Sequence, residues 1–357
     1  MTAPSLTFTK RWKHRLSDYV TAIAWSTDGS LLAATSSAGE VVLFPEAQGK
    51  EQSPVVLQTA TGDAVSSLGF SADGQYLAAA GQGGDVVVWA LQRPEKGYAV
   101  ALRQSHSGVW IDQLAWHPAR PQLAYGVGSH VKIWDSAATE TLDFQASSVL
   151  HLSWRPQGDR LAVSGHGGVK VWNAADWSAT PKLIAVPGAS LYAAWSSDGR
   201  YLGSGNLDRT LTVMAWDSPP PWLMQGFPGK VRQVAWSETV SASGTPLLAA
   251  ACVEGITLWR QGDDDKGSWR SQVLQHHTDR VNGIAFQPET SRLASAGADG
   301  TVCLWETKKA PAALLKIPEG GCSALAWHPG GALVAIAGTT GGIGVWGLEE
   351  RKSKGFG

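Results

Sequence analysis

The segment VNGIAFQPETSRLASAGADGTVCLW, from Val281 to Trp305, is the most regular part of the amino-acid sequence. It indicates three short β-strands, VNGIAF, RLASAG and TVCLW, because each is alternately or continuously apolar and is bounded by turn residues. Gly, Pro, Asp and Ser occupy the breaks between these strands, as expected of tight turns. The segment therefore predicts a small antiparallel unit in which an aromatic residue closes the first and the third strand.

The same three-strand pattern recurs in seven further copies. These copies occupy residues 20–44, 64–89, 111–134, 149–172, 190–214, 231–259 and 322–346. The aromatic residue that closes the first strand recurs every 38 to 50 residues, at Trp25, Phe70, Trp116, Trp154, Trp195, Trp236, Phe286 and Trp327. Ala, Gly or Ser precedes this aromatic residue in every copy, which permits close packing near a crowded axis. A period of about 40 residues with four strands per unit is typical of a closed β-propeller.

Seven of the eight units are followed by a segment that can form a fourth, outer strand. These segments are SPVVLQT, YAVALRQ, ETLDFQA, PKLIAV, PWLMQGF, SQVLQH and AALLKI. After the eighth unit only GLEERKSKGFG remains, which is too polar to serve as the missing strand. Over nearly the entire chain the pattern resembles the WD40 repeat.

The resemblance implies how the ring closes. In WD40 propellers the N-terminal strand generally completes the last blade, so residues 5–12, SLTFTKRW, are expected to pair there and remove a free sheet edge. We therefore predict an all-β fold with a single domain over residues 1–357. The prediction is a closed propeller of eight four-stranded blades, with seven blades as the alternative, and residues 347–357 form a flexible tail.

The resemblance also implies a structural network of four side chains. In this family a His before the first strand, a Ser or Thr in the second, an Asp in the following turn and the Trp closing the third are linked. The seventh unit matches this pattern best, with His277, Ser295, Asp299 and Trp305. Such a network rigidifies a blade. It also contains the residue types of a Ser–His–Asp triad, but no oxyanion-hole context accompanies it, so we predict no catalytic residue.

Composition argues against several classes of function. The chain has 29 basic and 30 acidic residues, a formal net charge of −1, so no overall field attracts nucleic acid or an anionic membrane. Cys252, Cys303 and Cys322 are odd in number and far apart, which indicates small buried hydrophobes in a reducing compartment rather than a disulfide framework. The N-terminal segment lacks the apolar core of a signal peptide, and no apolar stretch is long enough to span a membrane. We therefore expect a cytoplasmic protein.

Candidate partner-binding residues lie where the first strands begin. Positions three, four and six residues before the closing aromatic are expected at the mouth of the channel, on the face conventionally called the top. In the third to seventh units these positions carry aromatic, basic and polar side chains, namely Trp110, Asp112, His151, Tyr192, Lys230, Arg232 and Arg280, together with Gln113, Gln233 and Asn282. Trp, Tyr and Arg dominate interface hot spots, so we predict a binding arc there, with a merely solvated rim as the alternative.

The leading functional prediction is a non-enzymatic scaffold, monomeric by itself, that binds one or more proteins or peptides and needs no cofactor. The alternative is a propeller with a metal or small-ligand site at the mouth, which includes an enzyme that uses Asp112, His151 and Arg232. Four histidines expected near the top of the third and fourth blades, His106, His130, His151 and His166, could ligate a metal, but their spacing matches no established metal motif. The Gly-rich turns open no helix and so do not predict phosphate loops. An acidic segment with Asp263–Asp265 is expected to be a solvated loop on the opposite, lower face.

Overall fold

The structure is a computed structural model. It describes residues 5–47, 50–51, 53–92, 97–136, 138–145, 147–241, 243–253, 255–262, 268–306, 309–317 and 320–351. All regular secondary structure in these ranges is β-strand. Within them there is accordingly no helix with the length and apolar character needed to cross a lipid bilayer.

The strands repeat in groups of four, ordered from the axis outward. The first strands are β2 (Val20–Trp25), β7 (Val65–Phe70), β11 (Leu114–Trp116), β15 (His151–Trp154), the second half of β17 (Lys182–Trp195), β21 (Gln233–Val240), β25 (Val281–Phe286) and β29 (Cys322–Trp327). The second and third strands are β3 (Leu31–Ser36) and β4 (Val41–Ala47), β8 (Tyr76–Gly81) and β9 (Asp85–Ala90), β12 (Leu123–Val127) and β13 (His130–Trp134), the two halves of β16 (Arg160–Asn173), β18 (Tyr201–Asn206) and β19 (Leu211–Ala215), β22 (Pro246–Ala251) and β23 (Gly255–Gln261), β26 (Leu293–Gly297) and β27 (Thr301–Trp305), and β30 (Leu333–Gly338) and β31 (Gly342–Arg351).

The outer strands coincide with the segments predicted for them. They are β6 (Val55–Gln58), β10 (Ala99–Ser105), β14 (Thr139–Asp143), the first half of β17, β20 (Ser218–Met224), β24 (Trp269–Gln275), β28 (Ala313–Lys316) and, for the last group, β1 (Ser5–Arg15). A short β5 (Lys50–Glu51) pairs with the end of β4. All pairings are antiparallel, so the predicted all-β propeller class with four-stranded units is confirmed.

Hydrogen bonding joins these strands into seven sheets rather than eight separate ones. One sheet has six strands, β15 to β20, because the backbone stays extended through the whole of β17. The first half of β17 pairs with β16, whereas its second half, from Ser190 to Trp195, pairs with β18. The fourth and fifth repeats therefore share one continuous strand.

The innermost strands form a closed circle. Each first strand contacts the first strand of the next repeat, and β29 contacts β2. Tryptophan indoles strengthen these contacts, because the N–H donates to the carbonyl of the small residue that precedes the previous aromatic. The bonds run from Trp116 to Gly69 (2.8 Å), Trp154 to Ala115 (3.1 Å), Trp236 to Ala194 (3.0 Å), Trp327 to Ala285 (3.1 Å) and Trp25 to Ala326 (3.2 Å). The last of these bonds joins the first repeat to the eighth.

The N-terminal strand pairs with the last repeat. β1 lies antiparallel to β31 from Ser5, opposite Arg351, to Arg15, opposite Gly342. The buried Trp12 indole stacks on Phe44 of the first repeat, with ring centroids 5.5 Å apart. The strand is thus longer than the 5–12 segment predicted. Residues 347–351, predicted as part of a flexible tail, instead form the end of β31 because β1 supplies their backbone partners, and 352–357 lie outside the described residues.

Candidate functional site

The top face carries the loops that enter the first strands and the turns between second and third strands. Trp110 lies in one of these loops with 63% of its surface exposed, more than any other large hydrophobic residue that the structure describes. The chain holds it outward because the next residue, Ile111, is fully buried and donates its backbone N–H to Gly81. The loop thereby presents an indole to solvent on a firmly anchored backbone.

Charged residues of the predicted arc are accessible on the same face. Arg232 and Arg280 are exposed, and Lys230 is half-buried. Arg280 donates from Nε to the Asn282 side-chain oxygen (2.8 Å), which fixes the direction of the guanidinium. Asp112 is also exposed, and its carboxylate accepts a hydrogen bond from Ser66 Oγ (2.7 Å) of the preceding repeat. Hydrogen bonds therefore orient two of the charged groups of the arc, Arg280 and Asp112.

His151 and Tyr192 face each other across the fourth and fifth repeats. Their ring centroids are 3.7 Å apart, and both residues are half-buried. Burial lowers the pKa of His151 to about 4, so its imidazole is neutral at physiological pH. Burial also raises the pKa of Tyr192, against the opposing effect of a hydrogen bond with Gln233. The pair adds a packed aromatic wall, not a cation, to the arc.

Several polar side chains of the arc bond to neighbouring repeats, a role the sequence analysis missed. Gln233 accepts from the backbone N–H of Ile284 (3.0 Å), and Asn282 donates to the Cys322 carbonyl (2.7 Å). Because adjacent first strands are not hydrogen-bonded to each other, side chains can reach their exposed backbone groups. A polar residue recurring three or four positions before the aromatic was the available signal. Part of the predicted arc thus holds the ring together.

The structure brings the four predicted network residues of the seventh repeat together. Trp305 Nε1 donates to Ser295 Oγ (2.8 Å), which lies 2.8 Å from His277 Nε2. His277 Nδ1 lies 3.2 Å from Asp299 Oδ2. The consistent assignment is Trp N–H to Ser, Ser O–H to a neutral His, and His Nδ1–H to the carboxylate. Burial is the largest influence on His277 and lowers its pKa, which favours this neutral form. Ser295 is fully buried, so the arrangement offers no nucleophile to a substrate.

The histidines considered for a metal are held in separate surroundings. His106 packs against Tyr125 (centroids 5.8 Å apart), and burial lowers its pKa. His130 is exposed beside Ser129, His166 is exposed, and His151 faces Tyr192. In the part of the chain that the structure describes, no group of three His, Cys, Asp or Glu side chains could hold a metal ion.

A polar groove of about 760 Å³ opens on the lower face at the sixth repeat. Its walls include Arg260 and Arg270, which lie directly opposite each other on β23 and β24, together with hydroxyl groups such as Ser243. The acidic residues Asp263–Asp265, predicted as a solvated loop, lie outside the described residues. The sequence analysis did not predict this groove.

A closed circle of four-stranded antiparallel units, each with a closing aromatic near the axis, defines a repeat-built β-propeller. The family described as "WD domain, G-beta repeat", WD40, matches residues 6–44, 53–90, 138–173 and 269–306. The chain carries WD40 repeats at these four positions.

Three characterised relatives match parts of the chain. Striatin-4 of Homo sapiens is 49% identical over 134 residues, covering 34% of this chain and 17% of that protein. A p21-activated protein kinase-interacting protein 1-like of Danio rerio is 35% identical over 82 residues, covering 23% of this chain and 22% of its own length. Anaphase-promoting complex subunit cdc20 of Dictyostelium discoideum is 26% identical over 142 residues, covering 38% of this chain and 26% of its own length. The matches thus span only about a quarter or less of each relative.

Proposed function

We propose that this protein is a non-enzymatic scaffold that binds partner proteins through the top face of the propeller. The observation that carries the proposal is Trp110, a large indole 63% exposed on an anchored loop beside other arc residues. Exposure of a large apolar indole to water is unfavourable unless a partner covers it. Tryptophan is also among the residues that most often dominate interfaces. The names of two relatives, a kinase-interacting protein and a complex subunit, describe proteins that act in association with others.

The arc indicates the chemistry of the partner. The exposed guanidinium groups of Arg232 and Arg280, with the half-buried Lys230, favour an acidic element. Trp110 and the aromatic wall of His151 and Tyr192 favour an apolar or aromatic one. We expect a partner segment of mixed polarity that places carboxylates towards the sixth and seventh repeats.

The test replaces arc residues one at a time in the full chain. Trp110→Ala, Arg232→Ala and Arg280→Ala should each weaken binding by about 1–2 kcal/mol or more where the residue is a hot spot, while the melting temperature barely moves. Binding is measured by quantitative affinity purification with mass spectrometry, followed by titration of the recovered partner.

The matched control is Leu183→Ala, since Leu183 is also exposed (56%) but lies on an outer strand. Recovery of every partner by the three arc variants, with loss in the Leu183 variant, would reject the top face. The binding surface would then lie on the outer side of the propeller at Leu183.

We also propose that the ring has eight blades, the fourth and fifth being joined through β17. Eight first strands contact one another in a closed circle, and the six-stranded sheet contains two distinct ladders that meet in β17. A cryo-electron microscopy reconstruction viewed along the axis should show eight radial sheets. Seven radial sheets would reject this count.

The cellular setting follows as a further proposal: a cytoplasmic protein that is monomeric by itself and binds neither membranes nor nucleic acid. Cys252, Cys303 and Cys322 are free and buried, which suits a reducing compartment. The near-zero net charge gives no general attraction to polyanions. Fluorescence microscopy of the tagged protein tests the location, and light scattering of the purified chain tests the monomeric state.

A further inference from the structure

The eighth repeat lacks a side chain that every other repeat has. The third strand closes with an aromatic residue or, in the fifth repeat, with Met214. Two positions before this closing residue, seven repeats have a side chain, namely Val42, Val87, Lys132, Lys170, Thr212, Thr257 and Cys303. In the eighth repeat this position is Gly344. The ring of Trp346 lies over Gly344, since a Cβ there would meet the indole Cη2 at 2.5 Å. Backbone and the Trp346 indole therefore occupy the place that a side chain takes in the other repeats.

The polar network is also absent from this repeat. At the positions of Ser295 and Asp299 in the seventh repeat, the eighth has Ile336 and Thr340. An open cleft of about 220 Å³ lies there, between the outer strand of the seventh repeat and the second and third strands of the eighth. Ile317, Ile336 and Ile343 line it, so its walls are largely apolar.

Three lysines surround this apolar cleft. Lys10 and Lys13 come from β1, and Lys316 comes from β28, where its Nζ donates to Thr301 Oγ1 (2.6 Å). Lys10 is exposed and makes no ion pair with the residues that the structure describes. The residues lining the cleft include no Asp or Glu. Since β1 contributes two of the lysines, the cleft is complete only when the N-terminal strand is paired.

The corresponding cleft between the first and second repeats has the opposite character. It measures about 130 Å³ and is lined by Asp63 and Asp85, with Arg103 bound to Asp85 at 3.0 Å. That cleft is smaller, and its acidic residues are only partly compensated, since its single arginine, Arg103, pairs with Asp85. The eighth-repeat cleft therefore differs in size and in charge from the corresponding cleft of the second repeat.

We propose that this cleft is a second docking site, which receives an aliphatic side chain of a partner peptide flanked by acidic residues. An apolar pocket with a few charged groups at its edge anchors one side chain by desolvation and orients the rest by charge. The proposal rests on the proposed scaffold function. It adds a binding site distinct from the arc and specifies the kind of peptide that this site binds.

The test uses a fluorescently labelled synthetic peptide, Glu-Asp-Leu-Asp-Glu, blocked at both ends, and the full chain. Two matched peptides replace Leu by Gly, or replace the four acids by their amides. In fluorescence polarisation at low ionic strength, the parent peptide should bind about tenfold more tightly than either matched peptide. Raising the salt concentration should weaken binding of the parent peptide, because salt screens the attraction between exposed charges.

Protein variants locate the binding. Lys10→Glu and Lys316→Glu should each lower the affinity of the protein for the parent peptide about fivefold or more. Lys309→Glu, an equal charge change at an exposed lysine outside the cleft, should leave binding within about twofold. Leu183→Ala, which lies in neither the arc nor the cleft, should leave peptide binding unchanged. Loss of peptide binding in Trp110→Ala with full binding in Lys10→Glu would place the peptide on the arc and overturn this proposal, so failure of the arc proposal and failure of this one are distinguishable. Equal binding of all three peptides, no binding at about 1 mM peptide, or equal weakening by Lys309→Glu would each overturn the proposal.

Discussion

Asp299 concentrates hydrogen bonds within a single residue. Its carboxylate accepts from the backbone N–H groups of Thr278 and Thr301, both at 2.9 Å, and faces His277. Asp299→Ala would leave these donors unsatisfied, so the free energy of unfolding should fall by about 1–3 kcal/mol. Equilibrium denaturation measures this change.

Asp208 provides the matched control, because it holds the same repeat position in the fifth unit but is exposed and is bonded by the Thr210 hydroxyl (2.7 Å). Asp208→Ala should lower the free energy of unfolding clearly less than Asp299→Ala does. Equal losses in the two variants would mean that the network of the seventh repeat is no special source of stability.

The protonation of His277 adds a pH dependence. Burial lowers its pKa in the folded state below the usual value of about 6.5, so the unfolded chain binds the proton more tightly. Stability from the neutral imidazole is complete above about pH 6.5 and is lost as the pH falls towards the folded pKa. Asp299, whose pKa is also lowered, contributes in the same direction at more acidic pH. His277→Gln should therefore flatten the fall in unfolding free energy between about pH 7.5 and 5.5; an unchanged slope would contradict this.

Sequence periodicity predicted single residues unevenly. It located every closing aromatic and the small residue before it, because both recur at fixed positions. It did not predict that the indole N–H donates to the carbonyl of the corresponding small residue in the preceding repeat, nor that Gln233 and Asn282 bond across repeats. Those contacts depend on how neighbouring repeats are rotated about the axis, which no local pattern encodes. The whole arc was consequently predicted as a binding surface, although Gln233 and Asn282 in it connect neighbouring repeats.

At the scale of elements, β1 determines whether the last repeat has an exposed edge. It pairs with β31 along ten residue pairs, from Ser5 to Arg15, and buries Trp12. Deletion of residues 1–12 should leave β31 unpaired over most of its length, which should lower the melting temperature and promote aggregation. Thermal unfolding and light scattering measure both effects. Adding a synthetic peptide of residues 5–15 should restore part of the loss, and a scrambled peptide should not. A truncated chain that stays monodisperse with an unchanged melting temperature would contradict the role of β1.

Element boundaries were less predictable than element existence. All seven outer strands lie where apolar segments predicted them. The continuity of β17 and the extension of β31 to Arg351 were not predicted, because both depend on a partner strand distant in sequence. The prolines at 219–221 lie in β20, where an edge position needs no donor on its outer side.

At the scale of the whole molecule, the ring is held by similar contacts that recur between the first strands of neighbouring repeats. Five first-strand tryptophans donate to the preceding repeat, and two repeats have Phe at this position, so the packing tolerates a smaller ring. Trp195 differs: it is buried, yet its indole N–H has no hydrogen-bond partner among the described residues. The Arg155 guanidinium lies 5.5 Å from the centre of its ring.

This difference makes it possible to measure how much one indole hydrogen bond contributes to the free energy of unfolding. Trp154→Phe removes the bond to the Ala115 carbonyl, whereas Trp195→Phe removes an unsatisfied donor, and the loss of ring volume is the same in both. Trp154→Phe should therefore lower the unfolding free energy by about 1 kcal/mol more than Trp195→Phe, as measured by chemical denaturation. Each indole bond contributes little alone, and the ring closes at Phe70, Trp195 and Phe286 without one. If the two variants prove equally stable, the indole bonds follow from close packing at the axis and do not hold the ring closed.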